Sequence, residues 1–199
     1  MGAPADVPRL RRIGDVPPSW VAVFAKTADT VAERLRDDLL RANFKRLVRR
    51  IALTRYSSAV PVEMAAMYFP NELEVIFLDG AFDAKGGVFG DPLTHFEWIA
   101  VHESAHIVDH SSGYEMSSEF GRLVGSSYRD SDSGPEYVPG NRQNLRYATT
   151  ISGSKSIFED FADSVAILLT AGAYMRGECG LVDSARLAAC RRWFTEESR

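Results

Sequence analysis

Five stretches of the chain repeat apolar residues every three or four positions, the spacing of a helix with one buried face. Two of these stretches begin with a capping box, a Thr followed three residues later by Glu, at Thr30 and at Thr94. The third stretch places Leu123 on its apolar face, and the fourth places Phe158 there. The pattern predicts helices over residues 30–51, 94–110, 117–124, 156–173 and 183–194.

One further run has the composition of a strand. Residues 73–78 are rich in branched and aromatic side chains and are followed by Asp79 and Gly80, which signal a turn. The edge of such a strand could hydrogen-bond an extended peptide, although a strand that only covers a helix needs no more than its apolar side chains. The strand and the helices together predict an α+β fold that is mostly helical, with a small sheet packed on helix 94–110.

Two segments lie outside these predicted elements. Residues 1–18 hold four of the nine prolines, so we interpret them as an N-terminal tail, or as an arm laid on a single domain of residues 19–199. Residues 125–146 form a long polar stretch. Because loops of this length are usually either functional or disordered, we expect this stretch to be a flexible flank of a functional cleft.

The composition is that of an ordinary globular protein, with 45% hydrophobic and 25% charged residues. A net charge of −4 gives no general attraction for phosphate backbones, so we expect no nucleic-acid partner. The longest apolar run, residues 165–175, is too short to cross a bilayer and predicts a buried helix instead. We therefore expect no membrane span.

The cellular compartment depends on two cysteines. The N-terminal residues contain no apolar run of the kind found in a secretory signal. If Cys179 and Cys190 form a disulfide, a secreted or periplasmic location is favoured, whereas two reduced thiols favour the cytoplasm. Both states of the cysteines stay open at this point, and so does the oligomeric state.

The helix predicted at 94–110 contains the sequence His102-Glu103-Ser104-Ala105-His106. Residues four apart share a helix face, so both imidazoles can approach one metal ion while Glu103 projects beside them. This is the His-Glu-x-x-His pattern of zinc peptidases, whose carboxylate takes a proton from water. Two histidines on a helix are more often ordinary side chains, but in this apolar helix buried imidazoles are costly without a metal or a partner. The pattern therefore predicts a zinc site.

A hydrolytic zinc site needs a third protein ligand. His110 is excluded, because about 12 Å of helix axis separates it from His102, and ligands of one ion lie within about 4 Å of each other. The longer metzincin pattern is excluded too, because it requires Gly at position 109 and a ligand at 112, where this chain has Asp109 and Ser112.

Glu159 and Asp163 offer a better answer, because they lie four residues apart on the helix predicted at 156–173. Glu159 is the candidate third ligand, and Asp163 is the candidate acceptor for the free N–H of a metal-bound imidazole. The alternative is structural, since Ser156 and Glu159 have capping-box spacing and Asp163 could be solvated. We favour Glu159 as the ligand, because it lies in a Phe-rich helix with a matching second acid.

The two motifs together resemble those of the gluzincin metallopeptidases, in which His-Glu-x-x-His is followed on a later helix by Glu-x-x-x-Asp. More closely, residues 95–175 resemble the lethal-factor-like group of bacterial zinc metallopeptidases. The shared features are Asp109 after the metal motif, a Ser-x-x-Phe segment at 117–120, the Tyr147-Ala148 pair and the Glu-Asp-Phe-Ala-Asp run at 159–163. Residues 151–155 are interpreted as an insertion before that run.

The resemblance implies a zincin-like fold, in which a small sheet packs on the metal helix and a second helix carries the glutamate ligand. It implies that zinc is the cofactor and that its ligands are His102, His106 and Glu159. It also implies that Glu103 is the catalytic acid and base.

Further roles follow from the resemblance. Tyr147 is expected to reach the cleft and to donate a hydrogen bond to an oxyanion. A half-buried loop aromatic is the alternative for this residue. Asp163, or else Asp109, is expected to orient a metal-bound histidine.

These observations predict a zinc-dependent endopeptidase that acts on a peptide or protein substrate. One alternative is a zinc-binding interaction module without catalysis, which fits the lack of a recognisable specificity pocket. Against it, structural zinc sites are usually closed by four Cys or His ligands and have no need of Glu103. Another alternative keeps hydrolysis but changes the substrate to a non-peptide amide.

Overall fold

A computed structural model describes residues 10–58, 65–78, 81, 92–131, 134–138, 156–170 and 184–195. Within these residues the fold is mixed α+β with helices predominating, as the sequence pattern predicts. The helices are α1 (Pro18–Arg34), α2 (Asp38–Val48), α3 (Pro92–Ser111), α4 (Glu115–Val124), α5 (Ile157–Thr170) and α6 (Ser184–Cys190). The strands are β1 (Leu10–Asp15), β2 (Ala52–Ser58), β3 (Ala66–Phe69), β4 (Glu74–Leu78), β5 (Ser127–Ser131) and β6 (Gly134–Val138).

The four-stranded sheet has the order β1-β2-β4-β3. β1 and β2 are antiparallel, β2 and β4 are parallel, and β3 is antiparallel to β4. β4 corresponds to the strand predicted at 73–78, and its last four residues are buried. Because β4 lies between β2 and β3, the predicted use of its edge for a peptide is wrong. Among the described strands, β3 is the edge strand on this side of the sheet, and it lies next to β4.

β1 lies before the predicted domain boundary at residue 19. It pairs along its length with β2, with a bulge between Arg12 and Gly14. Residues 10–15 are therefore an arm laid on the sheet rather than a free tail. Residues 1–9 lie outside the described part of the chain.

The predicted helix over 30–51 is wrong at both its start and its middle. α1 already begins at Pro18, and Thr30 lies inside it, where its hydroxyl donates to the Lys26 carbonyl at 3.1 Å instead of capping a helix start. The chain leaves the helix at Leu35, which adopts an extended conformation. α2 then begins with Asp37 as its cap, whose carboxylate accepts from the Leu40 N–H at 2.7 Å. This local cap restarts the helix, although the apolar spacing runs on unbroken.

α3 is the central helix of the domain and contacts α1, α2, α4, α5 and β3. It begins at Pro92, so Thr94 lies inside it and the predicted capping box is not its start. Its end agrees with the prediction, because the chain turns after Ser111 and Gly113 adopts a left-handed conformation at φ 70°. Most of the α3 side chains are almost completely buried, among them Phe96, Ile99, Val101, Ala105, Ile107 and Val108.

The predicted flexible stretch at 125–146 contains an ordered hairpin. β5 and β6 pair in register, with Tyr128 opposite Tyr137. The polar composition misleads because one side chain, Tyr137, is buried and anchors the hairpin. Residues 139–146 lie outside the described residues, so their part of the prediction stays open.

The helices α4, α5 and α6 lie where the sequence places them, with one correction to the apolar face of α4 and one to that of α5. The sequence pattern places Phe158 of α5 and Leu123 of α4 on buried faces. This is wrong for both, because Phe158 is 41% exposed and Leu123 is 37% exposed. α6 is shorter than the predicted 183–194, because the chain turns after Cys190 and Phe194 forms a bridge with Leu35. None of the helices in the described residues has the length and hydropathy that crossing a bilayer requires.

Candidate metal centre

His102, His106 and Glu159 form one group in which the potential ligand atoms all lie within 4.8 Å of one another. The two imidazole Nε2 atoms are 3.1 Å apart. Glu159 reaches both rings, with Oε2 at 3.3 Å from Nε2 of His102 and Oε1 at 3.4 Å from Nε2 of His106. The three side chains that the sequence selects as ligands therefore meet at one point.

The dimensions of this group match those of a metal site. In a tetrahedral zinc site with bonds of about 2.0–2.1 Å, neighbouring ligand atoms lie about 3.3 Å apart. The separation of 3.1 Å between the two Nε2 atoms lies close to that value, and each imidazole has one oxygen of Glu159 at 3.3 or 3.4 Å. Two neutral imidazoles and a carboxylate are also a donor set that zinc accepts. These residues can hold a metal ion, and the donor set fits zinc.

The group is assembled by the packing of α3 against α5. His102 and His106 are one turn apart on α3, so they share the face that α5 covers. On α5 the small, fully buried Ala162 allows the two helices to approach closely. Glu159 lies in the first turn of α5, where its backbone N–H donates to the Ser156 hydroxyl at 3.2 Å. The cap uses Ser156 Oγ and the backbone N–H of Glu159, so the carboxylate of Glu159 stays available as a ligand. The predicted cap and the predicted ligand role are therefore compatible.

Asp163 fixes the orientation of His102. Its Oδ1 lies 2.9 Å from Nδ1 of His102, and its side chain is fully buried. This contact leaves Nε2 of the same ring facing Glu159 and His106. Burial lowers the pKa of His102, but the hydrogen bonds to Asp163 and Glu159 outweigh it and hold the pKa well above its ordinary value. The predicted partner of the metal-facing imidazole is therefore in position.

The charge of Glu159 is stabilised by the two rings. Its partial burial raises the pKa of the carboxyl, but the hydrogen bonds from His102 and His106 dominate and hold the pKa well below its usual range. Glu159 is thus an ionised carboxylate at neutral pH. An ionised carboxylate is the form that binds a metal ion.

Glu103 lies beside this group and is only 3% exposed. Its Oε2 has no hydrogen-bond partner among the described residues. Burial raises the pKa of Glu103, and the nearby His102 and His106 oppose that shift. A buried carboxylate oxygen without a partner is costly, which makes Glu103 a candidate functional group.

Asp109 and His110 have contacts away from the metal group. Asp109 Oδ1 accepts from the Ser117 backbone N–H at 2.9 Å, so this carboxylate secures the first turn of α4. Nδ1 of His110 lies 2.7 Å from the Tyr68 hydroxyl, in agreement with the exclusion of His110 as a ligand. Of the two candidates for orienting a histidine, Asp163 is the one that contacts His102.

Two predictions fall wholly or partly on residues outside the described part of the chain. Tyr147 lies there, so its position in the cleft stays a prediction. Cys179 lies there as well, while Cys190 is buried and forms no disulfide with any described residue, and burial raises the pKa of its thiol. The cellular compartment stays a prediction.

A buried polar network behind the site was not anticipated from the sequence. Arg186 of α6 donates to Asp160 through Nε at 2.8 Å and through a terminal nitrogen at 2.9 Å, and both side chains are buried. Asp160 Oδ2, which accepts from the terminal nitrogen of Arg186, also accepts from the Tyr137 hydroxyl at 2.7 Å, and that hydroxyl lies 2.8 Å from Ser126 Oγ. Asp160 follows the candidate ligand Glu159, so this network holds the turn of α5 that carries Glu159. The sequence feature that could have indicated this network is an arginine within a helix of otherwise small or apolar residues.

The chain was compared with known proteins by sequence and by structure. No family model, no curated protein and no solved structure matches it. The interpretation of the site therefore rests on its own residues and geometry.

We predict that replacing Asp163 with Asn weakens zinc binding by about 10–100-fold, because the His102 ring loses its charged acceptor. Titration of the metal-free protein with zinc, in competition with a chelating dye, measures the effect. Asp109→Asn is the matched control, because an amide oxygen still accepts from the Ser117 N–H. Equal losses of affinity in the two variants would contradict the assignment of Asp163.

We predict that Arg186→Met lowers the free energy of unfolding by about 3–5 kcal/mol, because it leaves the buried Asp160 carboxylate without its cation. Arg192→Met is the control, since Arg192 pairs with Glu119 at the surface and its loss should cost about 0–1 kcal/mol. Urea unfolding of both variants measures the difference. Similar midpoints for the two would show that Asp160 does not depend on Arg186.

Proposed function

We propose that this protein is a zinc-dependent endopeptidase of the gluzincin type, most similar to the lethal-factor-like group of bacterial zinc metallopeptidases. Two features support the zincin-like interpretation of the fold. A small sheet packs on α3 through β3, and α5 carries the glutamate that completes the ligand group. Both features correspond to what the resemblance implies.

The observation that carries the proposal is the position of Glu103. Its carboxylate is buried beside three potential metal ligands and has one oxygen without a hydrogen-bond partner among the described residues. A zinc-binding interaction module would gain nothing from this costly group and would be expected to use four Cys or His ligands. The ligand group in the described residues has two histidines and one glutamate, which favours the enzyme.

Each side chain of the site has a defined task in hydrolysis. A zinc ion held by His102, His106 and Glu159 would supply Lewis acidity, which lowers the pKa of water and polarises a carbonyl. Glu103 accepts the proton of the attacking water and passes it to the leaving amine. The raised pKa of Glu103 suits the first half of this task, because a carboxyl with a higher pKa has a more basic carboxylate.

The substrate would bind in an extended conformation along β3. Of the described strands only β4 pairs with β3, so the other edge of β3 can add a peptide strand. β3 also contacts α3 directly, through Tyr68 and His110. A peptide on this edge would run past the helix that carries His102, Glu103 and His106.

Tyr147 belongs to the proposal through the resemblance alone. A phenol at that position would donate a hydrogen bond to the oxyanion that forms during hydrolysis, a role whose loss typically costs on the order of 10² to 10³ in rate.

A peptide or protein substrate, rather than another amide, is the simplest partner for a strand edge.

We predict that Glu103→Gln abolishes peptide hydrolysis and leaves zinc affinity and the thermal unfolding midpoint close to those of the wild type. Glutamine matches the size of the side chain but cannot accept the proton of water. Digestion of a peptide library by zinc-loaded wild type and variant, analysed by mass spectrometry, measures the loss. Glu119→Gln, on the surface of α4, is the matched control for the substitution. Cleavage by Glu103→Gln at the wild-type rate would refute the mechanism.

A further inference from the structure

Four ring side chains next to the ligand group form a connected series, here called the aromatic cluster: Tyr68, His110, Tyr114 and Phe158. Tyr68 of β3 hydrogen-bonds His110 at 2.7 Å. The His110 ring stacks on Tyr114 with centroids 5.6 Å apart, and Tyr114 meets Phe158 edge to face at 5.7 Å. The series therefore runs from the edge strand, across the end of α3, to the start of α5.

The aromatic cluster adjoins the proposed catalytic site at two points. His110 lies one helical turn after the ligand His106 on α3. Phe158 immediately precedes the ligand Glu159 on α5. Tyr114, in the connection between α3 and α4, joins these two positions.

The outer half of the aromatic cluster is open to solvent. Tyr114 is 38% exposed and Phe158 is 41% exposed, although both are large rings. The Phe120 and Phe161 pair shows the contrast, because the same edge-to-face geometry is fully buried there. Packing of the core therefore accounts for the pair of Phe120 and Phe161, but it does not account for the pair of Tyr114 and Phe158. Contiguous exposed apolar surface of this kind is one of the features that mark binding sites.

The backbone at Tyr114 supports the same conclusion. Its φ is 66°, in the left-handed region that costs a bulky residue about 1 kcal/mol or more. A glycine would adopt this conformation without strain. The chain instead has a tyrosine there, and its ring stacks on His110. The stacking of the ring on His110, together with the hydrogen bond from the Tyr114 N–H to the Asp109 carbonyl at 2.8 Å, offsets this strain.

The pleat of β3 indicates what would contact the aromatic cluster. The Tyr68 side chain points to the α3 side of the sheet, since it hydrogen-bonds His110 there. In a peptide paired with the outer edge of β3, the residue opposite Tyr68 would project to the same side, about 5 Å away. Its side chain would then lie on the aromatic cluster.

We propose that the aromatic cluster is a specificity subsite that binds an aromatic or large aliphatic side chain of an extended substrate peptide. The proposal rests on the proposed function for the identity of the ligand, a peptide held along β3. An apolar side chain gains both area burial and edge-to-face contact on this surface, whereas alanine gains little. The protein would therefore select substrates by one bulky apolar residue.

The test measures binding without cleavage. A set of labelled octapeptides of alanine and serine, with a single phenylalanine moved along the chain, is titrated against zinc-loaded Glu103→Gln by fluorescence anisotropy. We expect one position of phenylalanine to tighten binding about tenfold over the all-alanine-serine peptide. Adding Phe158→Ala or Tyr114→Gly to the same protein should remove that preference, and Tyr114→Gly does so without backbone strain.

The matched control is Leu39→Ala, which removes an apolar side chain of α2 that is 71% exposed. This variant should leave the preference for phenylalanine intact. Absence of a preference in the parent protein, or its survival in Phe158→Ala and Tyr114→Gly, would overturn the subsite. A concentration-dependent dimer that Phe158→Ala dissociates would overturn it too, because a second copy would then cover these rings. A wild type that binds the phenylalanine peptide with this preference but cleaves no peptide would refute the peptidase and leave the subsite standing.

Discussion

The hydrogen bond between Asp163 and His102 is the interaction on which the rest of this structure depends. It joins α3 to α5 inside the protein, where neither side chain could remain without a partner. It fixes one imidazole nitrogen and thereby leaves the other facing His106 and Glu159. The helices are therefore held together by the same contact that sets the geometry of the ligand group.

The remainder of the fold supports this contact from both sides. The sheet and α1 cover α3, which explains how a helix with a metal motif can be so deeply buried. On the other side, the pair of Asp160 and Arg186 ties α5 to α6, and the Tyr137 hydroxyl ties it to the hairpin of β5 and β6. Buried ion pairs contribute little net stability but penalise every arrangement that separates their members. Such a pair is well suited to fixing the position of a ligand-bearing turn.

Local spacing made the site largely predictable from the sequence. Four-residue separations on helices define His102 with His106 and Glu159 with Asp163, and the structure brings all four side chains together. The helix break after Leu35 was not predicted, because a single cap at Asp37 outweighs an uninterrupted apolar pattern. The hairpin and the inner position of β4 were also missed. Both depend on contacts between distant segments, such as Tyr137 with Asp160, which no local pattern contains.

We propose that one zinc ion binds between α3 and α5 through two imidazoles and one carboxylate. X-ray absorption spectroscopy at the zinc edge of the zinc-loaded protein tests it most directly. We expect a shell of nitrogen and oxygen atoms at about 2.0–2.1 Å, with the scattering pattern of two imidazoles, and the loss of an oxygen ligand in Glu159→Ala. A sulfur atom at about 2.3 Å, or a spectrum that Glu159→Ala leaves unchanged, would contradict it.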